Sequence, residues 1–331
     1  MSTLLLNSSE VTSLLDIDEI ITGVEGAYKS LNSGLCVQPD ILNLTEPGTH
    51  TGFDFKLGLD MGAGYYSMKS SSGGYPNNPE KGLPSGLNMV YLYAQETSEL
   101  VCVMEGNNIR NLRTAAAAAV SIKYLAKKDA SKYFVYGAGR IGRAALEMTM
   151  RLRPIKDVYV FGYMEGEVEK YIEDMSAKFP ELNFHPVATP EEGAREADII
   201  VSVTLARKGP VINKEWLKPG CHVVAIGTDG PSKQELCTNM FAGTKVVNDC
   251  IEYASKNGDT YHAIDEGVIT VDDIYAEIGE IALGKKAGRE NDEEITVFDT
   301  VGMAVQDLGM ALTIYKKALA QGKGTSINFY E

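Results

Sequence analysis

Three glycines near the middle of the chain have the spacing that a dinucleotide-binding turn requires. Gly137, Gly139 and Gly142 follow an aromatic and β-branched segment, 132–136, and good helix formers occupy 143–148. Gly137 permits a tight turn from strand to helix, Gly139 lets a pyrophosphate approach the backbone, and Gly142 lets the helix pack on the strand. The free N–H groups at the helix start favour phosphate. The segment therefore predicts a dinucleotide site.

The residue that follows the next strand normally distinguishes the two nicotinamide cofactors. An acidic residue about 20 residues past the glycines holds the ribose hydroxyls of NAD, whereas an arginine there accommodates NADP. The chain instead has Gly162 at this place, followed by Tyr163 and Met164, and residues 162–169 contain no Lys or Arg. NAD and NADP both remain open, with a slight preference for NAD.

Composition narrows the class of partner. The 331 residues include 31 basic and 45 acidic side chains, a net charge of −14, which argues against binding to nucleic acid or an anionic membrane and favours a small-molecule substrate. The five cysteines are scattered, with no pair at C-x-x-C spacing, and the four histidines lie far apart, so we expect no disulfide framework and no metal site. With no apolar stretch of membrane-spanning length, the sequence predicts a cytoplasmic protein.

The residue patterns of successive segments predict two kinds of architecture. Between residues 37 and 93, short strands broken by Gly, Pro and Asn favour an antiparallel sheet, with 69–78 expected as a loop. An alanine-rich helix over 106–125 is expected to connect two domains, and a last helix is expected over 302–320. After the glycines, strands alternate with helices, which is typical of a doubly wound parallel sheet. These strands are expected at 157–161, 182–186, 198–203, 221–226 and 245–248.

Several motifs together resemble one known family, the ornithine cyclodeaminase/mu-crystallin family. They lie at 69–78, 110–117, 137–139, 227–236, 298–307 and 324–329, in the family's order and over nearly the whole chain. The resemblance implies an α/β fold: a Rossmann-type doubly wound domain over 114–303 and a discontinuous α+β domain, 1–113 completed by 304–331, for substrate binding and dimerisation. It also implies a nicotinamide cofactor and a homodimer.

The resemblance places the substrate carboxylate against Lys69 and Arg113 and makes Asp229 the catalytic acid. Asp229 also follows the apolar segment 223–226, so it is expected at the carboxyl end of a parallel strand, where ligands bind in such sheets. The cofactor residues that this interpretation predicts are Ser85, Thr114, Gly137, Ala138, Gly139, Arg140, Ile141, Gly142, Tyr163, Thr204, Ile226, Gly227, Thr228, Asp229, Lys233 and Thr300.

Three positions depart from the family's pattern. Relatives often have an arginine where this chain has Asp40, and cyclodeaminases have a glutamate thirteen residues before the lysine, where this chain has Lys56. Arg110, one helical turn from Arg113, adds a cation that could take part in carboxylate binding. If both reach the substrate, Asp40 would repel a carboxylate where relatives attract one, and Lys56 would repel the terminal ammonium that a cyclodeaminase must hold.

The sequence leaves three functions open. The first is an NAD(P)-dependent oxidoreductase that interconverts an amino acid and its imine or keto acid. The second is a cyclodeaminase that releases ammonia and recycles its own cofactor. The third is a cofactor-bound binding protein of mu-crystallin type, which the joint presence of Lys69, Arg113 and Asp229 disfavours, because a binder has little use for a catalytic acid.

Overall fold

The computed structural model describes residues 2–48, 51–73, 75, 78–84, 86–204, 209–228 and 230–329. The chain divides into two compact units: Met1–Arg113 with Met303–Glu331, and Thr114–Gly302. Its helices are α1 Ser8–Leu14, α2 Ile17–Asn32, α3 Asn107–Leu125, α4 Arg140–Met150, α5 Glu167–Lys178, α6 Pro190–Glu196, α7 Ile251–Ala254, α8 Gly258–Asp265, α9 Ile278–Ala282 and α10 Ala304–Gln321.

The strands of the first unit are β1 Ser2–Leu6, β2 Cys36–Val37, β3 Leu42–Thr45, β4 Gly52–Asp60, β5 Tyr65–Gly73, β6 Asn88–Ala94, β7 Leu100–Glu105 and β16 Thr325–Asn328. Those of the second unit are β8 Lys132–Tyr136, β9 Asp157–Phe161, β10 Asn183–Pro186, β11 Ile199–Ser202, β12 His222–Ala225, β13 Lys245–Asn248, β14 Ala276–Glu277 and β15 Thr296–Asp299. The mixed α/β class is thereby confirmed.

The first unit is built on a mainly antiparallel sheet. Its strand order is β16-β1-β7-β6-β5-β4-β2, with β3 paired to β4. Among the described strands of this sheet, β1 and β7 pair in parallel and the other pairs are antiparallel. Helices α2 and α10 pack together, and α10 also packs on β4 and β5. The two helices come close because both carry glycine at the crossing: a Cβ on Gly309 would lie 2.8 Å from the Gly23 carbonyl oxygen.

The prediction of a loop over 69–78 is wrong for residues 69–73, which belong to a strand. Strand β5 continues to Gly73, and it pairs with β4 on one side and β6 on the other, so Lys69 lies opposite Lys56 and Val90. Ser67 and Lys69 occupy the buried face of this strand. Polar residues at these inward positions remove the apolar alternation by which a strand is recognised.

The second unit contains a parallel sheet with strand order β10-β9-β8-β11-β12-β15-β13-β14. The predicted strands after the glycines are all present, with β9 and β13 at their predicted bounds and the others one residue shorter at one or both ends. The short strands β14 and β15 were not predicted, although β15 lies between β12 and β13. The carboxyl ends of these parallel strands meet at one edge of the sheet, where a ligand is expected.

Candidate active site

The glycine turn between β8 and α4 has the geometry that its spacing predicts. Gly137 has φ +113°, and a Cβ on it would lie 2.3 Å from the Val203 carbonyl oxygen. A Cβ on Gly142 would lie 2.4 Å from the Gly137 carbonyl oxygen, so both positions require glycine for close packing. A Cβ on Gly139 would meet no atom of the described residues, its chain neighbours aside, within 4 Å. The N-terminus of α4 therefore carries an open, bare backbone that fits a pyrophosphate.

Other predicted cofactor residues of the second unit follow its parallel strands. Thr204 follows β11, Gly227 and Thr228 follow β12, and Thr300 follows β15. The remaining described ones are placed as follows: Arg140 and Ile141 open α4, Thr114 is buried in α3, Ala138 and Ile226 are buried, Tyr163 is exposed after β9, and Lys233 is half-buried. Ser85 and Asp229 lie outside the described residues.

A buried carboxylate, Glu235, joins two of these strand ends. The Thr204 backbone N–H and hydroxyl donate to Glu235 Oε1 at 2.5 and 2.8 Å, and the Gly227 N–H donates to Oε2 at 2.9 Å. Burial, together with the charge of Asp259, raises the pKa of Glu235 to about 7. Sequence reasoning gave Glu235 no role, because its donors are backbone groups on distant loops.

Two further buried carboxyl groups hold the same edge of the sheet. Asp259 accepts hydrogen bonds from the backbone of Glu235 and Leu236, each at 2.7 Å, and from the Thr228 hydroxyl at 3.0 Å. Burial raises its pKa to about 6. Asp299 accepts from the backbone and hydroxyl of Thr260, each at 2.7 Å, and burial raises its pKa well above the usual value. These carboxyls stabilise the loops by accepting hydrogen bonds.

The first unit contains a different kind of cluster. Lys69 Nζ lies 2.6 Å from Asp307 Oδ2, and Arg113 Nε lies 3.4 Å from Asp307 Oδ1. Arg113 Nη1 donates to Gln306 Oε1 at 2.9 Å, and Gln306 in turn donates to the Tyr28 hydroxyl. Arg113 Nε and Asp307 Oδ1 make no hydrogen bond within the described part of the chain. The cluster therefore keeps buried hydrogen-bonding capacity unused.

The charges of this cluster do not balance. Lys69 is 2% exposed and Asp307 is fully buried. Burial lowers the pKa of Lys69 to about 7, and repulsion by Arg113 and Lys56 adds to that effect, while Asp307 opposes it. The attraction of Lys69, Arg113 and Lys56 holds the pKa of Asp307 below its usual value despite burial. The single anion of Asp307 thus faces two buried basic groups, Lys69 and Arg113, an arrangement that can accept a second carboxylate.

The other predicted substrate residues have different surroundings. Lys56 lies in β4, opposite Lys69 across the strand pair, and is half-buried. Arg110 and Asp40 are exposed. Asp307 and Gln306 were missed as site residues, although the resembling segment 298–307 ends at Asp307 and was the available signal.

Membrane and metal features are absent from the residues that the structure describes. None of their helices is both long enough and apolar enough to cross a bilayer. Their His, Cys, Asp and Glu side chains form no group of three or more that could hold a metal ion.

Comparison with known proteins places this geometry among nicotinamide enzymes. The model of the ornithine cyclodeaminase/mu-crystallin family matches residues 1–322. Alanine dehydrogenase of Archaeoglobus fulgidus is 35% identical over 331 residues, covering 100% of this chain and 99% of the relative. An archaeal alanine dehydrogenase dimer with bound NAD has a TM-score of 0.91 at 35% identity, with 100% of both chains covered.

A second solved structure is a reductase. Thermococcus litoralis Δ1-pyrroline-2-carboxylate reductase, in complex with NADH and L-proline, has a TM-score of 0.92 at 32% identity. The match covers 98% of this chain and 100% of the reductase. Both solved relatives therefore extend over both compact units of the chain.

Proposed function

We propose that the Lys69–Asp307–Arg113 cluster binds the substrate carboxylate of this chain, which belongs to the ornithine cyclodeaminase/mu-crystallin family. Its similarity to dehydrogenase and reductase members of the family makes it an NAD(P)-dependent oxidoreductase of amino acids and imines. The observation that carries this proposal is the excess of basic groups over Asp307 in a buried place. Arginine is suited to the role because its planar fork can bind both oxygens of a carboxylate.

Lys69 contributes a positive charge that depends on its protonation. With a pKa of about 7, it exchanges its proton near neutral pH. An arriving carboxylate adds negative charge, which raises the pKa of Lys69 and favours its protonated form. The protonated amine then polarises the imine or keto acid. Substrate binding and protonation of Lys69 are therefore coupled.

Asp229 gives or takes the proton at the substrate nitrogen, and the cofactor, when bound, supplies or accepts the hydride at the α-carbon. Asp229→Asn preserves the size of the side chain but removes the transferable proton. We expect turnover to fall roughly a hundredfold, the usual contribution of a positioned acid or base, with little change in cofactor affinity. Near-normal steady-state turnover in this variant would contradict the assignment.

The substrate lacks a free terminal ammonium. Lys56 lies within electrostatic reach of Lys69 and Asp307, so it would repel the distal ammonium of ornithine or lysine. Asp40, if it approaches the substrate, would repel a carboxylate where relatives attract one. A neutral or acidic amino acid, or a cyclic imine, meets these conditions.

A steady-state screen tests the class of substrate. Alanine, glutamate, ornithine, lysine and pyrroline- or piperideine-carboxylate are compared with both cofactors, following nicotinamide absorbance and ammonia release separately. We expect stoichiometric absorbance changes and poor activity with ornithine. Ammonia and proline from ornithine, without a net change in absorbance, would show a cyclodeaminase instead.

A homodimer fits the surface of the first unit. Leu44 and Phe53 are cross-strand neighbours on β3 and β4, and they are 57% and 42% exposed. Leu42 and Leu57 share their face and are also exposed. An exposed apolar stripe of this kind favours association. The archaeal alanine dehydrogenase solved as a dimer supports the proposal, and light scattering would measure the mass in solution.

The cysteines fit a cytoplasmic enzyme. Cys36, Cys102, Cys221, Cys237 and Cys250 are all unpaired. Free thiols persist in a reducing compartment, so we place the protein in the cytoplasm.

A further inference from the structure

The carboxylate of Glu167 lies where the side chain of residue 162 would otherwise begin. Gly162 directly follows β9, and a Cβ on it would lie 2.6 Å from Glu167 Oε2 and 3.2 Å from Glu167 Cδ. Gly162 does not have the left-handed φ that would itself require glycine. The absence of a side chain at residue 162 thus leaves room for the Glu167 carboxylate at the end of β9, and a larger residue there would displace that carboxylate.

A short turn returns Glu167 towards the end of β9. The Met164 N–H lies 3.5 Å from Glu167 Oε2, and the Glu167 N–H donates to the Met164 carbonyl at 3.1 Å. Gly166 has φ +74°, a conformation that glycine adopts at little cost. Glu167 is also the first residue of α5, where the helix dipole favours an acidic side chain.

The end of β9 adjoins the glycine turn. The Gly137 N–H donates to the Phe161 carbonyl at 3.0 Å, so residue 162 begins beside the first glycine. In dinucleotide folds, the acidic residue at this strand end bonds the ribose 2′-hydroxyl of NAD. We propose that Glu167 supplies this carboxylate from α5 and thereby selects NAD(H) over NADP(H). The inference rests on the proposed cofactor site.

Two nearby basic side chains, Arg143 and Lys170, have an acidic partner, whereas Arg140 at the start of α4 is exposed. Arg143 Nη2 lies 3.2 Å from Asp174 Oδ2, and Lys170 Nζ lies 2.9 Å from Asp174 Oδ1. Residues 162–169 contain three glutamates and no Lys or Arg. A 2′-phosphate, with nearly two negative charges, would be repelled by the Glu167 carboxylate, whereas a 2′-hydroxyl would donate to it.

Fluorescence titration measures the Kd of NADH and NADPH for the wild type, Glu167→Gln and Glu169→Gln. We expect the wild type to prefer NADH, and Glu167→Gln to weaken NADH binding about tenfold, the effect of losing one hydrogen bond to a charged group. The Kd of NADPH divided by the Kd of NADH should fall at least tenfold. Glu169→Gln removes another acid from the first turn of α5 and should behave as the wild type.

A double variant distinguishes the loss of the carboxylate from damage to the fold. Glu167→Ala should lose the preference for NADH, and Glu167→Ala combined with Gly162→Asp should regain it, because a carboxylate returns from the strand end. An unchanged ratio in Glu167→Gln and Glu167→Ala, or a wild type that prefers NADPH, would overturn the inference alone. A wild type that binds neither dinucleotide would overturn the proposed function.

Discussion

The two compact units bury ionisable groups in opposite ways. In the first unit, Lys69 and Arg113 surround Asp307, so buried charge is met by opposite charge. In the second unit, Glu235 and Asp259 are met by backbone and hydroxyl donors, and burial raises their pKa values to about 7 and about 6. The first arrangement retains charge, which our proposal assigns to binding the substrate carboxylate. The second lets carboxyl groups hold loops in place without a counter-ion.

The largest effect on stability should follow removal of the single anion in the first cluster. Asp307→Asn leaves Lys69 and Arg113 buried without their partner. Breaking a buried pair in this way costs about 3–5 kcal/mol. Thermal or denaturant unfolding at neutral pH measures the loss.

A matched control uses the same helix. Glu19→Gln removes the partner of Lys317 on α10, a pair 2.6 Å apart whose side chains are 49% and 25% exposed. Such surface pairs contribute roughly 0–1 kcal/mol. If Asp307→Asn costs no more than this control, Lys69 is neutral in the folded protein and the cluster does not depend on opposite charge.

A second prediction concerns the dependence of the free energy of unfolding on pH. The buried groups of the two units should change it in opposite directions as the pH rises. The raised pKa of Glu235, from 4.5 to about 7, means that the folded state binds more protons in this window, so its contribution to stability is lost as pH rises through it. The lowered pKa of Lys69, from 10.5 to about 7, means that the unfolded state binds more protons above 7, so stability rises with pH there.

Measuring the free energy of unfolding of variants across this pH range assigns each slope to its residue. One group changes the free energy of unfolding by at most about 1.4 kcal/mol per pH unit. Glu235→Gln should reduce the falling slope below pH 7, and Lys69→Met should remove the rising slope above it. Identical pH profiles for both variants and the wild type would refute the comparison.

Among the buried groups, the smaller loss of stability should come from the neutral replacement of Glu235. Glu235→Gln keeps a carbonyl acceptor but turns an amide N–H towards one of the donors from Thr204 or Gly227. We expect a loss of about 1–2 kcal/mol at neutral pH, the effect of an imperfectly met buried group. A loss equal to that of Asp307→Asn would show that Glu235 is fully ionised and depends on charge as strongly.

The sequence predicted what depends on local pattern. The glycine turn could be found because Gly137 and Gly142 meet backbone a few residues or one strand away, and the β-branched and aromatic segments of the parallel sheet identified most of its strands. The Ser-rich strand around Lys69 has no such pattern. Its burial depends on α10, which approaches it from far along the chain.

Contacts between distant segments account for the missed site residues. Lys69 and Asp307 are 238 residues apart, and nothing at either position indicates the other. Glu235 accepts from Thr204, 31 residues away, through a backbone N–H that every residue except proline has. A side chain whose partners are backbone groups is hard to find from sequence, because the residue types of its partners do not indicate the contact.

The separation between Lys69 and Asp307 also has a consequence during synthesis. The strand with Lys69 leaves the ribosome first, residues 114–302 of the second unit follow, and only then does α10 emerge. At about 5–20 residues per second, the separation of 238 residues takes roughly ten to fifty seconds to synthesise. During that interval the first sheet has cations without their anion and an apolar face without its helix. Nascent chains that expose such an apolar face are expected clients of a chaperone, and the Lys69–Asp307–Arg113 cluster is among the last parts of the chain to form.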